Sequence, residues 1–98
     1  MKRIYTKGAL RRFWLEYPEA EKYLKTWYNE AKRSNWQRPS DVKNTYTTVS
    51  ILKNGRVVFN IKGNTFRLVV KINYEMQWVF VRFIGTHQTY NRIDANTI

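Results

Sequence analysis

The sequence predicts an α+β fold in which N-terminal helices pack on a small antiparallel β-sheet. Three observations predict it. Apolar residues recur at steps of three and four as far as Ala31. Beyond Val42 the period shortens to two, in segments rich in β-branched and aromatic residues. Those segments are separated by the short turn motifs Lys53-Asn54-Gly55, Lys62-Gly63-Asn64 and Glu75-Met76-Gln77. Helices followed by a meander of strands describe a helical layer on one face of a sheet.

Arg3-Ile4-Tyr5 reads as a short strand or an extended arm. Thr6 suits a helix N-cap, and Ala9, Leu10, Phe13 and Trp14 follow at helical spacing. Pro18 limits that helix and stands well in the first turn of a second one. There Glu19 and Glu21 face the positive end of the helix dipole. Ala20, Tyr23, Leu24, Trp27, Tyr28 and Ala31 form one apolar face about three turns long, and its aromatics are read as core. Arg38-Pro39-Ser40-Asp41-Val42 turns into a short helix.

Val49–Leu52 and Arg56–Ile61 then form a hairpin, because Asn-Gly accepts the positive φ angles that a tight hairpin turn demands. From Thr65 to Tyr74, side chains alternate. Phe66, Leu68, Val70, Ile72 and Tyr74 share one face, and Arg67, Lys71 and Asn73 share the other with Val69. Trp78–Ile84 is the fourth strand of the meander, with Val79, Val81 and Phe83 opposing Trp78, Phe80 and Arg82. The sheet face away from the helices is expected to carry the cations.

The chain has 98 residues, enough for one domain spanning residues 1–98. A hydrophobic content of 43% argues against a disordered tail. Without cysteine there is no disulfide framework or thiolate metal site, which fits a reducing cytoplasm. No run of about 18 apolar residues is present, so no membrane segment is expected. Arg11 and Arg12 interrupt any signal-peptide pattern after Met1-Lys2-Arg3. The expected protein is soluble and cytoplasmic.

Charge narrows the partners. The net charge is +11. Glu16, Glu19, Glu21, Glu30 and Asp41 lie in one stretch, whereas Val42 to Tyr74 contains no acid but has Lys43, Lys53, Arg56, Lys62, Arg67 and Lys71. Solubility does not require charges sorted in this way. A polyanion does, and a nucleic acid is the first to consider.

Metal and cofactor chemistry are not expected. The single histidine, His87, has no acids clustered around it in sequence, and no phosphate-cradling glycine loop is present. Gly63-Asn64-Thr65 is too short for one, and no nucleophile-elbow motif supports a Ser-His-Asp triad. What remains is Gly85-Thr86-His87-Gln88-Thr89-Tyr90, after a strand carrying Arg82. RNA brings its own nucleophile, the 2′-hydroxyl. A protein need only move protons and hold charge on the phosphate. Histidine and arginine suit those tasks. On spacing alone, His87 could equally pair with a backbone carbonyl near a strand end.

The run Ile51-Leu52-Lys53-Asn54-Gly55-Arg56-Val57-Val58-Phe59-Asn60-Ile61-Lys62-Gly63-Asn64 resembles the HigB family of toxins. So do Arg67-Leu68-Val69-Val70, Gly85-Thr86-His87, and the earlier Leu10-Arg11-Arg12-Phe13-Trp14 with Trp27-Tyr28. The resemblance covers nearly the whole chain. It implies a RelE-like fold and ribosome-dependent endoribonuclease action on translated mRNA, inhibiting translation. It also implies neutralisation by a helix-turn-helix antitoxin of the HigA type.

Carried over onto this sequence, the resemblance implies catalytic roles for His87 and Tyr90, with Arg67 and Arg82 as phosphate partners. Lys53, Arg56, Asn60, Lys62, Asn64 and Lys71 are the expected RNA-binding residues. Family members often read Glu-Tyr-Asp after the GTH motif. Here Thr89-Tyr90-Asn91 stands in its place, so no acid can take a proton-transfer role at those flanking positions. The alternative is a basic RNA-binding module without catalysis. A DNA-binding protein ranks last, since no helix carries a dense cationic face.

Overall fold

Two kinds of periodicity build two layers. The computed structural model describes residues 1–98. A short strand β1 (Arg3–Tyr5) leads into α1 (Lys7–Glu16), a 3₁₀ turn at Pro18–Ala20 and α2 (Glu21–Arg33). After α3 (Pro39–Thr45) come β2 (Ser50–Ile51), β3 (Arg56–Ile61), β4 (Phe66–Asn73), β5 (Trp78–Thr86) and the one-turn helix α4 (His87–Tyr90).

The helical stripes face the sheet as their spacing predicts. Leu10 and Trp14 of α1 and Leu24, Trp27 and Ala31 of α2 are buried against Val57, Phe59, Phe66, Leu68, Val70 and Val79. Phe59 is the central ring. Trp27, Trp36 and Tyr46 lie around it with centroids at 5.4, 6.1 and 5.2 Å. Burying side chains of this size stabilises by about 1.5–3 kcal/mol each, which makes this layer the main source of stability. Thr6 occupies the N-cap position of α1, but its side chain makes no capping hydrogen bond. Pro18 begins the 3₁₀ turn that runs into α2. At the far end of α2, the Met1 amino group donates to the Ala31 (2.8 Å) and Lys32 (3.1 Å) carbonyls, satisfying helix-end acceptors.

The strands lie in the order β1-β5-β4-β3-β2. The meander β2 to β5 is antiparallel, as expected, and Asn54 and Gly55 take φ angles of 57° and 75° in the first hairpin. Two expectations need correction. The sheet is mixed, not wholly antiparallel, because β1 pairs parallel to β5 and reads Arg3, Ile4 and Tyr5 against Trp78, Val79 and Phe80. The chain leaves β1 through the helices and returns along the meander, so the last strand arrives running in the same direction. Such a pairing needs a long crossover and leaves no turn motif in the sequence.

The second correction concerns β5. Val69 pairs with Phe83 but Val70 pairs with Val81, so Arg82 is an extra residue, a β-bulge. Beyond it the alternation reverses. Ile84 joins Val79 and Val81 on the helix-covered core, and Phe83 goes to the opposite face with Val58 and Val69.

That second face carries the cations. No strand contains an aspartate or glutamate, whereas Arg3, Arg56, Arg67, Lys71 and Arg82 all lie in strands. It also has a small apolar cluster of its own. The C-terminal segment folds over it, placing Ala95, Ile93 and Ile98 with Tyr90 and Phe83 around Val58 and Val69. Arg56 Nε donates to the Ile98 carbonyl at 2.9 Å. No helix is long and apolar enough to cross a membrane.

Candidate active site

The site forms where β5 ends and the chain turns. Thr86 pairs with Phe66 across the ladder and is the N-cap of α4. Its Oγ1 accepts a hydrogen bond from the Thr89 amide at 3.1 Å. The His87 amide donates to the Thr65 carbonyl at 3.1 Å, tying α4 to the β3–β4 turn. A polar capping residue is what a one-turn helix requires, since too few internal hydrogen bonds hold it. The Thr86-x-x-Thr89 spacing is the signal that could have announced this helix from the sequence.

One helical turn puts His87 and Tyr90 on neighbouring positions of the same side. The His87 imidazole makes no hydrogen bond, and its Nδ1 is fully enclosed without a partner. Nε2 is not enclosed in this way. The Tyr90 ring leans on Phe83, with centroids 6.5 Å apart and planes at 49°. Phe83 lies close over Gly85, where a Cβ would stand 2.5 Å from the ring. Glycine at 85 thus makes room for the ring that supports Tyr90.

Gly85 is the cross-strand partner of Arg67, and Asn60 flanks Arg67 on the other side. The Arg67 guanidinium lies 5.9 Å from the Tyr90 ring centroid. Only 9% of this arginine is exposed. Its Nη1 donates to the Asn64 and Phe66 carbonyls at 3.2 and 3.3 Å, and its Nη2 donates to Asn64 Oδ1. No carboxylate joins it, because the one ion pair of the protein is Lys25–Glu21 on α2. A buried charge held only by neutral dipoles retains most of its attraction for an anion, and the surroundings screen it poorly.

The structure thus brings together His87, Tyr90, Arg67 and two of the expected RNA contacts, Asn60 and Asn64. Lys62 stands in the same β3–β4 turn with φ 54°. Arg82 is not part of this group. It is exposed on the bulge, its guanidinium lies 5.9 Å from the Phe80 ring centroid, and it shares no hydrogen bond with the other three. Lys53 sits at the tip of the β2–β3 turn, at the opposite end of β3. Arg56 faces Lys71 across the ladder, two like charges side by side at the start of β3. No three His, Cys, Asp or Glu side chains come together anywhere.

This α+β frame agrees with the family that the sequence matches. Residues 20–93 match HigB_toxin, described as the RelE-like toxic component of a toxin–antitoxin system. The chain belongs to the HigB toxin family. The mRNA interferase toxin HigB of Escherichia coli (strain K12) is 26% identical over 94 residues, spanning 94% of this chain and 90% of its own length. The mRNA interferase HigB proteins of Escherichia coli O157:H7 and Shigella flexneri match to the same extent. As a HigB toxin the chain has the RelE-like fold, and its counterpart is an antitoxin. The matched residues include β2 to β5 and α4, and so the whole group around Arg67.

Proposed function

We propose that this protein is a ribosome-dependent mRNA endoribonuclease that inhibits translation in the cytoplasm, with residues 1–98 forming one toxin domain. The observation that carries the reading is Arg67: buried, free of any carboxylate, and set between Tyr90 and the Asn64 side chain. A phosphodiester placed there finds an uncompensated positive charge and two groups able to exchange protons.

In the proposed step the 2′-hydroxyl loses its proton and O2′ attacks the adjacent phosphorus. The P–O5′ bond breaks and O5′ takes up a proton. The products are a 2′,3′-cyclic phosphate and a 5′-hydroxyl. His87 Nε2 and the Tyr90 hydroxyl are the two proton-transfer positions, and Arg67 stabilises the charge that builds on the phosphoryl oxygens. Arginine's planar fork suits that task. Asn60, Asn64 and Lys62 hold the strand beside the scissile bond. Lys53, Arg56 and Lys71, with Arg82 on the bulge, extend the electrostatic track along the sheet.

The relatives named as mRNA interferases support this substrate. We further propose neutralisation by a helix-turn-helix antitoxin of the HigA type, drawn to this basic surface by electrostatic steering.

The test is cleavage of mRNA by the purified chain, with and without translating ribosomes. Ribosome-bound message is expected to be cut, naked message to be cut weakly, and the new ends to be 5′-hydroxyls. A folded protein that bound programmed ribosomes without cutting would overturn the enzymatic reading in favour of an RNA-binding module.

A further inference from the structure

Away from Arg67, the same sheet face holds a second arrangement of aromatic and cationic side chains at the β1–β5 edge. Tyr5 and Phe80 are register partners, and their rings are stacked at 5.3 Å with planes only 14° apart. Trp78 meets both edge-on, each at 6.2 Å. The Arg82 guanidinium lies over Phe80 at 5.9 Å. Arg3 pairs with Trp78 and Lys71 pairs with Phe80, so both cations share the face with the rings. Tyr5 is 38% exposed, and Trp78 and Phe80 are half-buried beside it.

The C-terminal segment covers the face around Val58, Val69 and Phe83 but does not pack against Tyr5, Trp78 or Phe80. Nothing in the core needs this group either, since Tyr5, Trp78 and Phe80 lie outside the helix-facing cluster.

We propose that Tyr5, Trp78 and Phe80, with Arg3, Lys71 and Arg82, form a stacking platform for an unpaired base of single-stranded RNA. Every base has a π-face, so the exposed Tyr5 ring, backed by Phe80 and Trp78, can stack on it whatever its identity, and flanking cations hold the phosphates on either side. The group is complementary in charge to RNA, and no strand of the sheet offers an acid to repel it. It is also continuous with the site described above. Phe80 and Gly85 lie on one strand, separated by roughly 13 Å along its rise once the bulged residue is discounted. A strand lying across Arg67 and Tyr90 therefore reaches the platform with a nucleotide some way from the cleaved bond. The inference rests on the proposed RNA-cleaving function and adds to it a distant binding subsite. Arg82, on the bulge, lies over Phe80 and shares no hydrogen bond with the group around Arg67.

The test uses the full-length protein and 2′-O-methyl oligoribonucleotides, which lack the nucleophile and cannot be cut. Binding is read by fluorescence anisotropy for a dinucleotide and for a strand of about eight nucleotides. The double variant Tyr5→Ala/Phe80→Ala is expected to bind the longer strand about tenfold or more weakly and the dinucleotide as the original does. Tyr5→Phe/Phe80→Tyr keeps both rings and is expected to restore the affinity. Circular dichroism accompanies each variant. If the double variant misfolds, quenching of Trp78 fluorescence by the longer strand, measured against Trp78→Phe, decides instead.

Equal affinity of the folded double variant and the unaltered protein for the longer strand would overturn the platform. So would failure of the unaltered protein to bind that strand, or weakened antitoxin binding with RNA affinity intact. A protein that bound through these rings and yet never cleaved mRNA would leave the platform standing and remove the enzymatic reading instead.

Discussion

Arg67 and Tyr90 meet across two different elements, the guanidinium of a strand residue lying 5.9 Å from the centre of a ring on α4. The arginine is nearly closed to solvent and the tyrosine is half-buried. Neither belongs to the main core. The contact therefore joins a buried positive charge to the short helix that carries His87.

Replacing Arg67 separates charge from stability. Arg67→Met keeps most of the stem volume and removes the guanidinium. Its main side-chain partner, Asn64, is exposed and can turn to water. An unpaired buried charge contributes little net stability, so the change in unfolding free energy should stay within about 1 kcal/mol. Cleavage is expected to fall by about 10²–10³-fold. Urea titration and single-turnover cleavage on ribosomes check the two halves. A variant that unfolded easily would show Arg67 to be structural.

His87→Gln and His87→Ala should each reduce cleavage by about 10²–10⁴-fold while leaving ribosome binding intact. The residue is half-buried at the start of α4, where the bond holding the helix runs through its backbone amide and not its side chain. Tyr90→Phe keeps the ring against Phe83 and under Arg67 and tests the hydroxyl alone. A loss as large as that of His87→Ala would make the phenol a proton donor, and a smaller one would leave it to orient the phosphate. Wild-type cleavage by folded His87→Ala would remove the imidazole from the mechanism.

Gly85→Ala should act on the site through packing. The new methyl would press on the Phe83 ring, which in turn packs against Tyr90. Overpacking of this kind costs about 1–3 kcal/mol, and Tyr90 should be displaced along with Phe83. Combining it with Phe83→Leu should recover part of the stability, so that the pair destabilises less than the sum of its parts. Strict additivity in thermal unfolding would show that Phe83 is not what the methyl meets.

Tyr46 should make the protein sensitive to alkali. Its hydroxyl donates to Glu30 Oε1 at 2.5 Å. Burial first, then that hydrogen bond and the Glu30 charge, hold the phenol well above its usual range. The folded form thus keeps a proton that the unfolded chain loses near pH 10. The stabilisation is complete below that pH and is lost as pH rises above it. Tyr46→Phe keeps the ring on Phe59 but should flatten this decline. Melting temperatures of both proteins between pH 8 and about 11 provide the check. Parallel curves would assign the alkaline loss to other groups.

Much of this arrangement is legible along the chain. The stripe through Leu24, Trp27 and Ala31, the positive-φ turn at Asn54-Gly55 and the alternation from Phe66 to Ile72 all hold in the structure. Each depends on residues a few positions apart, where backbone sterics and side-chain period act directly. The segregation of charge is legible as well, because a run without acids stays without acids however it folds. The histidine and tyrosine of the last turn could be singled out by their chemistry.

Other features belong to the tertiary structure alone. That β5 accepts β1 as a parallel neighbour, and so brings Tyr5 onto Phe80, depends on a chain path through three helices and a meander. The extra residue at Arg82 reverses the faces of Phe83 and Ile84, and one inserted residue inside a β-rich run leaves no mark on composition. The tail over Val58 and Val69 and the meeting of Arg67 with Tyr90 are likewise non-local. Sequence by itself determined which segments form helices and strands and which carry charge. Only the packed structure decided which distant side chains share a surface, because that depends on register and layer contacts between residues with no local means of signalling each other.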